Sequence, residues 1–523
     1  MTATIEPAAT RPATAVPPKG GVTIDDWRPE DEMFWDTVGR PVARRNLIWS
    51  IFSEHLGFSV WLLWSVSAAL LPKAGFTFTV SQLFLLVAIP NLVGALIRLP
   101  YTFAVPRFGG RNWTVVSALA LLVPTLLFAW AVQHPETPYW VFCLIAATAG
   151  LGGGNFASSM ANINFFYPTK KKGTALGLNA AGGNLGVAVI QFFLPIVVGG
   201  AGVFGLVKAS EAGFHLERAG YLYAVLAVVA ATSAWFFMNN LSGAKSSPRE
   251  QLKVVKYKHT WVMSFLYIGT FGSFIGYSAA MPLLIKLNFW NQPVPTVPGI
   301  GINFAYYAFL GALVGSIARP YGGWLADKYG GARVTLWTFV AMIAGTLGVI
   351  YTLTLLTAVP KPPAGAPAPD PATFEYSEAV VTAVNSNSDI FPWFLAAFLF
   401  VFAATGIGNG STYRMIPLIL ATEAKKTAGP DGIDAAMTKA TKESSAVIGI
   451  AGAIGALGGF LIPMTFGAPW VEDPVSAVKV AFGVFTGFYV ICLATTWFVY
   501  VRTVSVAGRA PSLAGATVPR NYI

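Results

Sequence analysis

Two arginines lie inside long apolar runs of the chain, where a charged side chain is costly. Arg98 lies in GALIRLPY and Arg319 in GSIARPYGG. A cation at the centre of a bilayer costs at least about 2.5 kcal/mol on insertion scales, so each arginine needs a compensating role. Guanidinium stays charged and offers a planar fork of donors to an oxyanion. The pair indicates an anion-binding site; the alternative is that each reaches the membrane surface or pairs with an acid such as Glu54 or Asp327.

Two titratable residues are adjacent in the first apolar run, SEHLGFSVW. These are Glu54 and His55. Titratable groups at such a depth often serve proton relays, so both are candidates for proton coupling. Glu54 precedes Phe58 by one helical turn, which places the two side chains on one face. The alternative is a structural role for Glu54, either in an ion pair with an arginine or in a polar contact between helices.

Glycines form regular series in two of the apolar runs. One series is Gly177, Gly182, Gly183 and Gly186, and the other, at every third residue, is Gly449, Gly452, Gly455 and Gly458. Small residues let membrane helices pack closely. A smooth glycine seam also lets helices slide, so we expect both series to serve packing and conformational change.

No residue pattern favours catalysis. Cys143 and Cys492 lie apart in apolar runs, the four histidines are dispersed, and no phosphate loop or nucleophile motif occurs. We therefore expect no enzyme activity, no cofactor and no metal site. The lysines and arginines are scattered between apolar runs rather than gathered on one face, which argues against a nucleic-acid partner.

The elements that position these residues are membrane-spanning helices. Of the 523 residues, 55% are hydrophobic and only 11% are charged, unlike a soluble protein. A bilayer core of about 30 Å needs roughly 20 apolar residues per helix. Twelve such runs occur, near 46–71, 80–105, 112–132, 139–165, 174–199, 219–239, 260–288, 301–327, 332–357, 391–421, 443–466 and 477–502. The fold class predicted is an all-α polytopic membrane protein.

The charges between the runs predict the topology. Every second connection is rich in lysine and arginine, so the positive-inside rule places both termini in the cytoplasm. The predicted organisation is a cytoplasmic tail (1–45), a six-helix half (46–239), a basic linker (240–259), a second six-helix half (260–502) with a Pro-rich extracytoplasmic loop (358–390), and a cytoplasmic tail (503–523).

An internal repeat relates the two halves. In each half a glycine lies four residues before the arginine and a glycine pair starts eleven residues after it: Gly94, Arg98, Gly109 and Gly110, then Gly315, Arg319, Gly330 and Gly331. Glycine-rich helices 4 and 5 also match helices 10 and 11. Three pairs in the same order indicate duplication into two parallel repeats, an architecture typical of one large class of transporters.

Four stretches of the chain carry a family resemblance. They read RPEDEMFWDTVGRPVARRNL, GLGGGNFASSMANINFFYP, GTALGLNAAGGNLGVAVIQ and GGWLADKYGGARVTL. They resemble the nitrate/nitrite porters of the major facilitator superfamily, and the likeness extends from about residue 27 to residue 501. The resemblance implies the twelve-helix major facilitator fold in two pseudo-symmetric halves.

The resemblance also implies roles for individual residues. Arg98 and Arg319 match the arginines that clamp the anion, and Phe156 and Phe271 match the aromatic rings that sandwich it. Residues that match the remainder of the substrate cavity are Tyr267, Asn184 and Phe58. The superfamily's cytoplasmic loop motif, which includes Asp327 and Arg333, is matched after helix 8. Its copy after helix 2, VPRFGGR, lacks the acid.

Together these features predict a secondary transporter of nitrate and nitrite, embedded in lipid in the cytoplasmic membrane and acting as a monomer by alternating access. Glu54 and His55 favour proton-coupled nitrate uptake. The alternatives are nitrate/nitrite exchange without proton coupling and a non-transporting anion sensor.

Overall fold

The structure, a computed structural model, describes residues 17–199, 214–244, 252–294, 296–361, 369–428, 432–468 and 473–502. The two predicted terminal tails therefore lie partly (1–16) or wholly (503–523) outside the described residues. So do residue 245 to residue 251 of the basic linker and residue 362 to residue 368 of the Pro-rich loop.

Twelve long helices confirm the predicted fold class. Their bounds are α1 Glu32–Ala74, α2 Val80–Phe108, α3 Gly110–Ala131, α4 Tyr139–Phe166, α5 Thr169–Val197, α6 Glu217–Phe237, α7 Lys258–Phe289, α8 Ala308–Tyr329, α9 Gly331–Thr354, α10 Glu378–Thr427, α11 Ile433–Ala456 continued by Gly458–Phe466, and α12 Pro474–Thr496 continued by Trp497–Val501. Within the described residues, eleven are long and apolar enough to cross a membrane. The twelfth, α8, has 22 residues and carries Arg319, Asp327 and Lys328.

Three helices, α1, α10 and α11, begin ten or more residues earlier than the apolar pattern predicts, and α11 starts at Ile433 rather than at residue 443. Helix α1 starts at Glu32 rather than at residue 46, because Asp31 caps it by accepting from Phe34 N at 3.1 Å. Helix α10 starts at Glu378 rather than at residue 391. Its first three turns mix polar and apolar residues, and Asn387 within them accepts a hydrogen bond from Thr357 N, just after α9, at 2.7 Å. Segments 32–45 and 378–390, predicted as tail and loop, are therefore helical.

The two halves use their repeated glycines in the same way. Gly109 joins α2 to α3 with φ 86°, and Gly330 joins α8 to α9 with φ 89°, both in the left-handed region that favours glycine. A Cβ on Gly150 would meet Gly94 of α2, and a Cβ on Gly406 would meet Gly315 of α8. The crossings of α2 with α4 and of α8 with α10 therefore rest on matching close approaches.

The space between the halves is closed at both ends. We call the end where α1 begins the inner end and the opposite one the outer end. At the outer end Lys286 Nζ of α7 donates to Ala69 O of α1 at 2.6 Å. At the inner end Asn164 Nδ2 of α4 donates to Ser445 Oγ of α11 at 2.8 Å. The conformation is therefore occluded.

A short segment before α1, the N-terminal strap (17–31), crosses the inner end of the first half. Its strand β1 (Thr23–Ile24) pairs in parallel with β2 (Asn240–Leu241), which follows α6. Arg45 of α1 donates to Pro18 O at 2.8 Å and to Asn239 Oδ1 at 2.7 Å. A second pair, β3 (Trp290–Asn291) with β4 (Ile300–Gly301), is antiparallel and joins α7 to α8.

Candidate anion-binding site

Arg98 is held by backbone carbonyls from both halves. Its side chain is 0% exposed. Nε donates to Gly153 O of α4 at 3.0 Å, and Nη1 donates to Gly452 O of α11 at 2.7 Å. Nη2 is buried and finds no hydrogen-bond acceptor among the residues that the structure describes. A fixed cation with one free donor is therefore available at the interface of the halves.

Arg319 mirrors this arrangement in the second half with fewer partners. The residue is 4% exposed, and its Nη2 donates to Tyr267 Oη of α7 at 3.3 Å. Nη1 is buried without an acceptor. Neither arginine reaches the membrane surface, so the snorkelling alternative is excluded for both.

Two aromatic rings lie beside the guanidinium groups. Phe156 of α4 and Phe271 of α7 face each other with centroids 6.0 Å apart and ring planes 21° from parallel. The Cζ atom of Arg98 lies 4.8 Å from the Phe156 centroid and 4.9 Å from that of Phe271. The Cζ atom of Arg319 lies 5.5 Å from the Phe156 centroid. The positive charges therefore border the space between two π faces.

Tyr267 and Phe271 are brought together by a local change in helix α7. A π-helical turn, Ile268–Gly272, begins directly after Tyr267 and contains Phe271, and the two rings stack 5.3 Å apart at 15°. Insertions of this kind are frequent at functional sites because they re-aim side chains. With this turn in place, the Tyr267 hydroxyl lies against Arg319 and the Phe271 ring faces Phe156.

The remaining predicted cavity residues contribute in different ways. Phe58 of α1 meets Phe156 at 6.2 Å with ring planes 70° apart, so it packs behind the ring pair. Asn184 of α5 is fully buried, and neither its Nδ2 nor its Oδ1 has a hydrogen-bond partner. Because no described residue bonds to this amide, it is available to a polar ligand.

Glu54 is fully buried at the junction of α1, α4 and α5. Its Oε2 accepts from Ser159 Oγ and, at 2.6 Å, from Asn179 Nδ2, while Oε1 has no partner. It makes no ion pair within the described part of the chain, although its charge interacts with those of Arg98 and Arg319. The described residues therefore include no direct Glu54–arginine ion pair, whereas the polar helix contact of the alternative is present at Ser159 and Asn179.

His55 has a separate environment from its neighbour. Its Nδ1 lies 3.1 Å from Gly182 O of α5. A carbonyl can only accept, so Nδ1 carries the proton. The two adjacent titratable groups therefore do not bond to each other.

Comparison with known proteins identifies the family. The sequence profile of the Major Facilitator Superfamily matches residues 56–361. The chain is 40% identical to the nitrate/nitrite transporter NarU of Salmonella typhimurium, over 92% of this chain and 96% of that protein. It is 33% identical to a probable nitrate/nitrite antiporter, NarK2, of Thermus thermophilus, over 92% and 97%. The chain belongs to the nitrate/nitrite porter family of the major facilitator superfamily.

Solved structures of more distant proteins share the porter's fold. A D-xylose–proton symporter matches with a TM-score of 0.56 and 14% identity, over 87% of this chain and 97% of that one. A bacterial homologue of the human lysosomal transporter Spinster matches with a TM-score of 0.54 and 14% identity, over 87% and 96%. At this identity the likeness concerns the fold alone.

The glycine series of the porter pack against specific partners, with one exception. On α5, a Cβ at Gly182 would meet Ile51, one at Gly183 the Glu54 carboxylate and one at Gly186 the His55 carbonyl. Gly177 differs, because nothing lies within 4 Å of a Cβ built there. Gly177 is therefore not closely packed in this conformation, and its part in conformational change stays a prediction.

The glycines of α11 contact both halves. Gly449 and Gly452 face Thr102 and Arg98 of α2, while Gly455 and Gly458 face Tyr267 and Gly272 of α7. A Cβ at Gly458 would lie only 2.5 Å from Gly272 Cα. This series therefore follows the wall of the candidate site.

The acid of the loop motif after α8 pairs with an arginine of α10. Asp327 Oδ1 accepts from Arg414 Nε of α10 at 2.5 Å. Arg333 is exposed and makes no ion pair in the part of the chain that is described. The acid of the motif therefore ties α8 to α10 within the second half.

Several residues of the site have no distinctive sequence signal. Trp61 lies under Arg98 with its ring 5.1 Å from Cζ, and Tyr413 lies 5.6 Å from Cζ of Arg319. Both types are common in apolar helices. The carbonyls of Gly153 and Gly452 are backbone groups, which sequence reasoning does not single out. Ser159 and Asn179 do lie in the two stretches most specific to the family.

Proposed function

We propose that this protein carries nitrate and nitrite across the cytoplasmic membrane by alternating access. One observation carries the proposal: two buried guanidinium groups, Arg98 and Arg319, each keep an N–H without an acceptor beside a nearly parallel ring pair. A buried donor left without a partner costs about 1–3 kcal/mol, and more when it is charged. An oxyanion between the arginines would satisfy both donors.

The shape of the gap favours a planar anion of single charge. Phe156 and Phe271 are 21° from parallel, so a flat anion can lie with its faces toward theirs and its edge toward the guanidinium groups. A tetrahedral sulfate is thicker and carries a second charge, whose dehydration in an apolar site is far more costly. Relatives named nitrate/nitrite transporters support the same substrate class.

The occluded conformation supports transport rather than sensing. Hydrogen bonds close both ends of the interface, at Lys286–Ala69 and at Asn164–Ser445. Each bond joins the two halves at one end only, so one end can open by breaking its bond while the bond at the other end stays in place. In this proposal the protein acts as a monomer in lipid with both termini in the cytoplasm.

Glu54 is the group we propose to couple transport to protons. It is buried, its Oε1 has no partner, and its charge interacts with those of both arginines. A proton that arrives with the anion keeps the total charge of the site constant through the cycle. His55 faces α5 and would act only as a relay toward Glu54.

Exchange of nitrate for nitrite is a second candidate, and charge balance favours it. With Glu54 ionised, two guanidinium groups and one carboxylate leave a net positive site, which one bound anion neutralises. A neutral loaded site costs less to occlude within the membrane than a charged empty site does. The return step would then require another anion. A relative named as a probable antiporter is consistent with this coupling.

Transport in proteoliposomes tests the function and separates its two forms. Purified protein should exchange labelled nitrate for unlabelled nitrate across the membrane, which a sensor or an enzyme cannot do. Nitrate uptake into vesicles without internal nitrite should then require a proton gradient and stop with an uncoupler. Uptake that instead needs internal nitrite, ignores the gradient and persists in Glu54→Gln would favour exchange.

A further inference from the structure

A third cationic side chain lies between the halves, far from the two arginines. Lys286 is near the outer end of α7, and its ammonium donates to Ala69 O of α1 at 2.6 Å. We propose that Lys286 is a separate capture site for small monovalent oxyanions at the outer end, occupied before the anion reaches Arg98 and Arg319. The inference rests on the proposed transport function.

The present partner of Lys286 does not compensate its charge. Among the described residues it makes no ion pair, and its side chain is half-buried where α7 packs on the last turns of α1. A partly desolvated cation is unfavourable unless it meets negative charge. Ala69 lies near the end of α1, where helix carbonyls carry a partial negative charge. The carbonyl is thus a weak substitute for an anion.

The same arrangement recurs along the path between the halves. Arg98 donates to Gly452 O at 2.7 Å, Gln191 Nε2 of α5 donates to Ser278 O of α7 at 2.7 Å, and Lys286 donates to Ala69 O. Each donor belongs to one half and each carbonyl to the other. Separation of the halves at any level breaks that bond and frees a donor for an anion oxygen.

The spacing along α7 separates the capture site from the central site. Lys286 follows Phe271 by fifteen residues, which is about 22 Å at 1.5 Å per residue, and Ser278 lies between them. At that separation the arginines attract an external anion only weakly, because salt screens charges beyond about 8–10 Å. A freed Lys286 would concentrate anions at the opening.

Sided transport assays with labelled nitrate test the proposal. In proteoliposomes of defined orientation, Lys286→Gln should raise KM for nitrate at the outer face roughly tenfold, the loss of about 1.4 kcal/mol of attraction. KM at the inner face and the maximal influx rate should change less than about twofold. Inert salt should raise the outer KM of the wild type more than that of the variant.

Two controls isolate the role of the charge at this position. Lys286→Arg should retain an outer KM close to that of the wild type. Lys73→Gln removes an equal charge from an exposed residue at the same end, where Lys73 lies 5.0 Å from the Phe214 ring, and should leave KM unchanged.

Other outcomes would overturn the proposal. Equal shifts of KM at both faces, or a change only in maximal rate, would mean that Lys286 merely closes the outer end. Wild-type protein that exchanges no labelled nitrate would instead overturn the proposed function and this inference with it.

Discussion

Arg98 and Arg319 are similar in type but differ in how firmly they are held. Arg98 donates to two carbonyls, at 3.0 Å and 2.7 Å, whereas Arg319 makes one bond of 3.3 Å to a hydroxyl. Arg98 is thus oriented by the backbone before an anion binds. Arg319 can shift, and an anion would complete its coordination.

Replacing either arginine by lysine should impair binding although the charge remains. Lysine lacks the planar fork, so Arg98→Lys cannot bond Gly153, Gly452 and an anion with fixed geometry. We expect at least a tenfold higher KM in nitrate counterflow for both variants, and a larger effect at Arg98. Arg107→Lys, exposed at the inner end of α2, is the matched control. A wild-type KM in both site variants would exclude the clamp.

Phe156 should control selectivity more than stability. Phe156→Leu keeps an apolar side chain but removes one face of the ring pair, and Phe156→Ala also opens space. We expect both variants to let sulfate compete with labelled nitrate, with the greater loss of selectivity in Phe156→Ala. Phe193→Ala, on a lipid-exposed residue of α5, should behave as wild type. If sulfate already competes in the wild type, the ring pair does not select by shape.

The candidate site could be predicted from sequence only in part. The cost of a buried cation marks Arg98 and Arg319, and the family resemblance marks the aromatic residues. The carbonyl partners of Arg98, the π-helical turn that stacks Tyr267 on Phe271, and the Ser159 and Asn179 contacts of Glu54 depend on tertiary packing. No local pattern reports those contacts.

Helix α11 approaches α7 so closely at Gly458 that a larger side chain would meet the α7 backbone. Gly458→Ala would place a Cβ 2.5 Å from Gly272 Cα, a backbone atom that cannot rotate away. Overpacking of this kind typically costs about 1–3 kcal/mol. We expect a clearly lower thermal unfolding midpoint for the purified protein.

Gly177→Ala provides the matched control, because a Cβ there meets nothing within 4 Å. Alanine is favoured over glycine inside a helix by roughly 0.5–1 kcal/mol, so the midpoint should stay or rise. Equal destabilisation by both substitutions would show that helix propensity, and not the α7–α11 approach, sets the effect.

Helix ends were the least predictable elements. Apolar composition predicts only the part of a helix that lies in hydrocarbon. The first turns of α1 and α10 mix polar and apolar residues, so they could not be recognised as parts of membrane helices. The number and order of the helices could be predicted from the apolar runs. The correspondence between the two halves could be predicted from the repeated glycines.

For the whole molecule, the occluded state predicts that fixing one end prevents transport. Asn164 and Ser445 are in direct contact across the inner end. Asn164→Cys with Ser445→Cys, bridged by a short thiol cross-linker, should abolish nitrate counterflow, and a reductant that cleaves the bridge should restore it. Each single variant treated in the same way should retain activity. Full activity of the bridged double variant would contradict alternating access through this interface.

The N-terminal strap bears on how the chain is made. Its strand Thr23–Ile24 has no partner until Asn240 and Leu241 have been synthesised, more than two hundred residues later. During translation the strap therefore stays unpaired until the first six helices have been synthesised, and it can pair only after that point. Because that pairing needs nothing from the second half, the first six helices can pack together before the helices of the second half enter the bilayer.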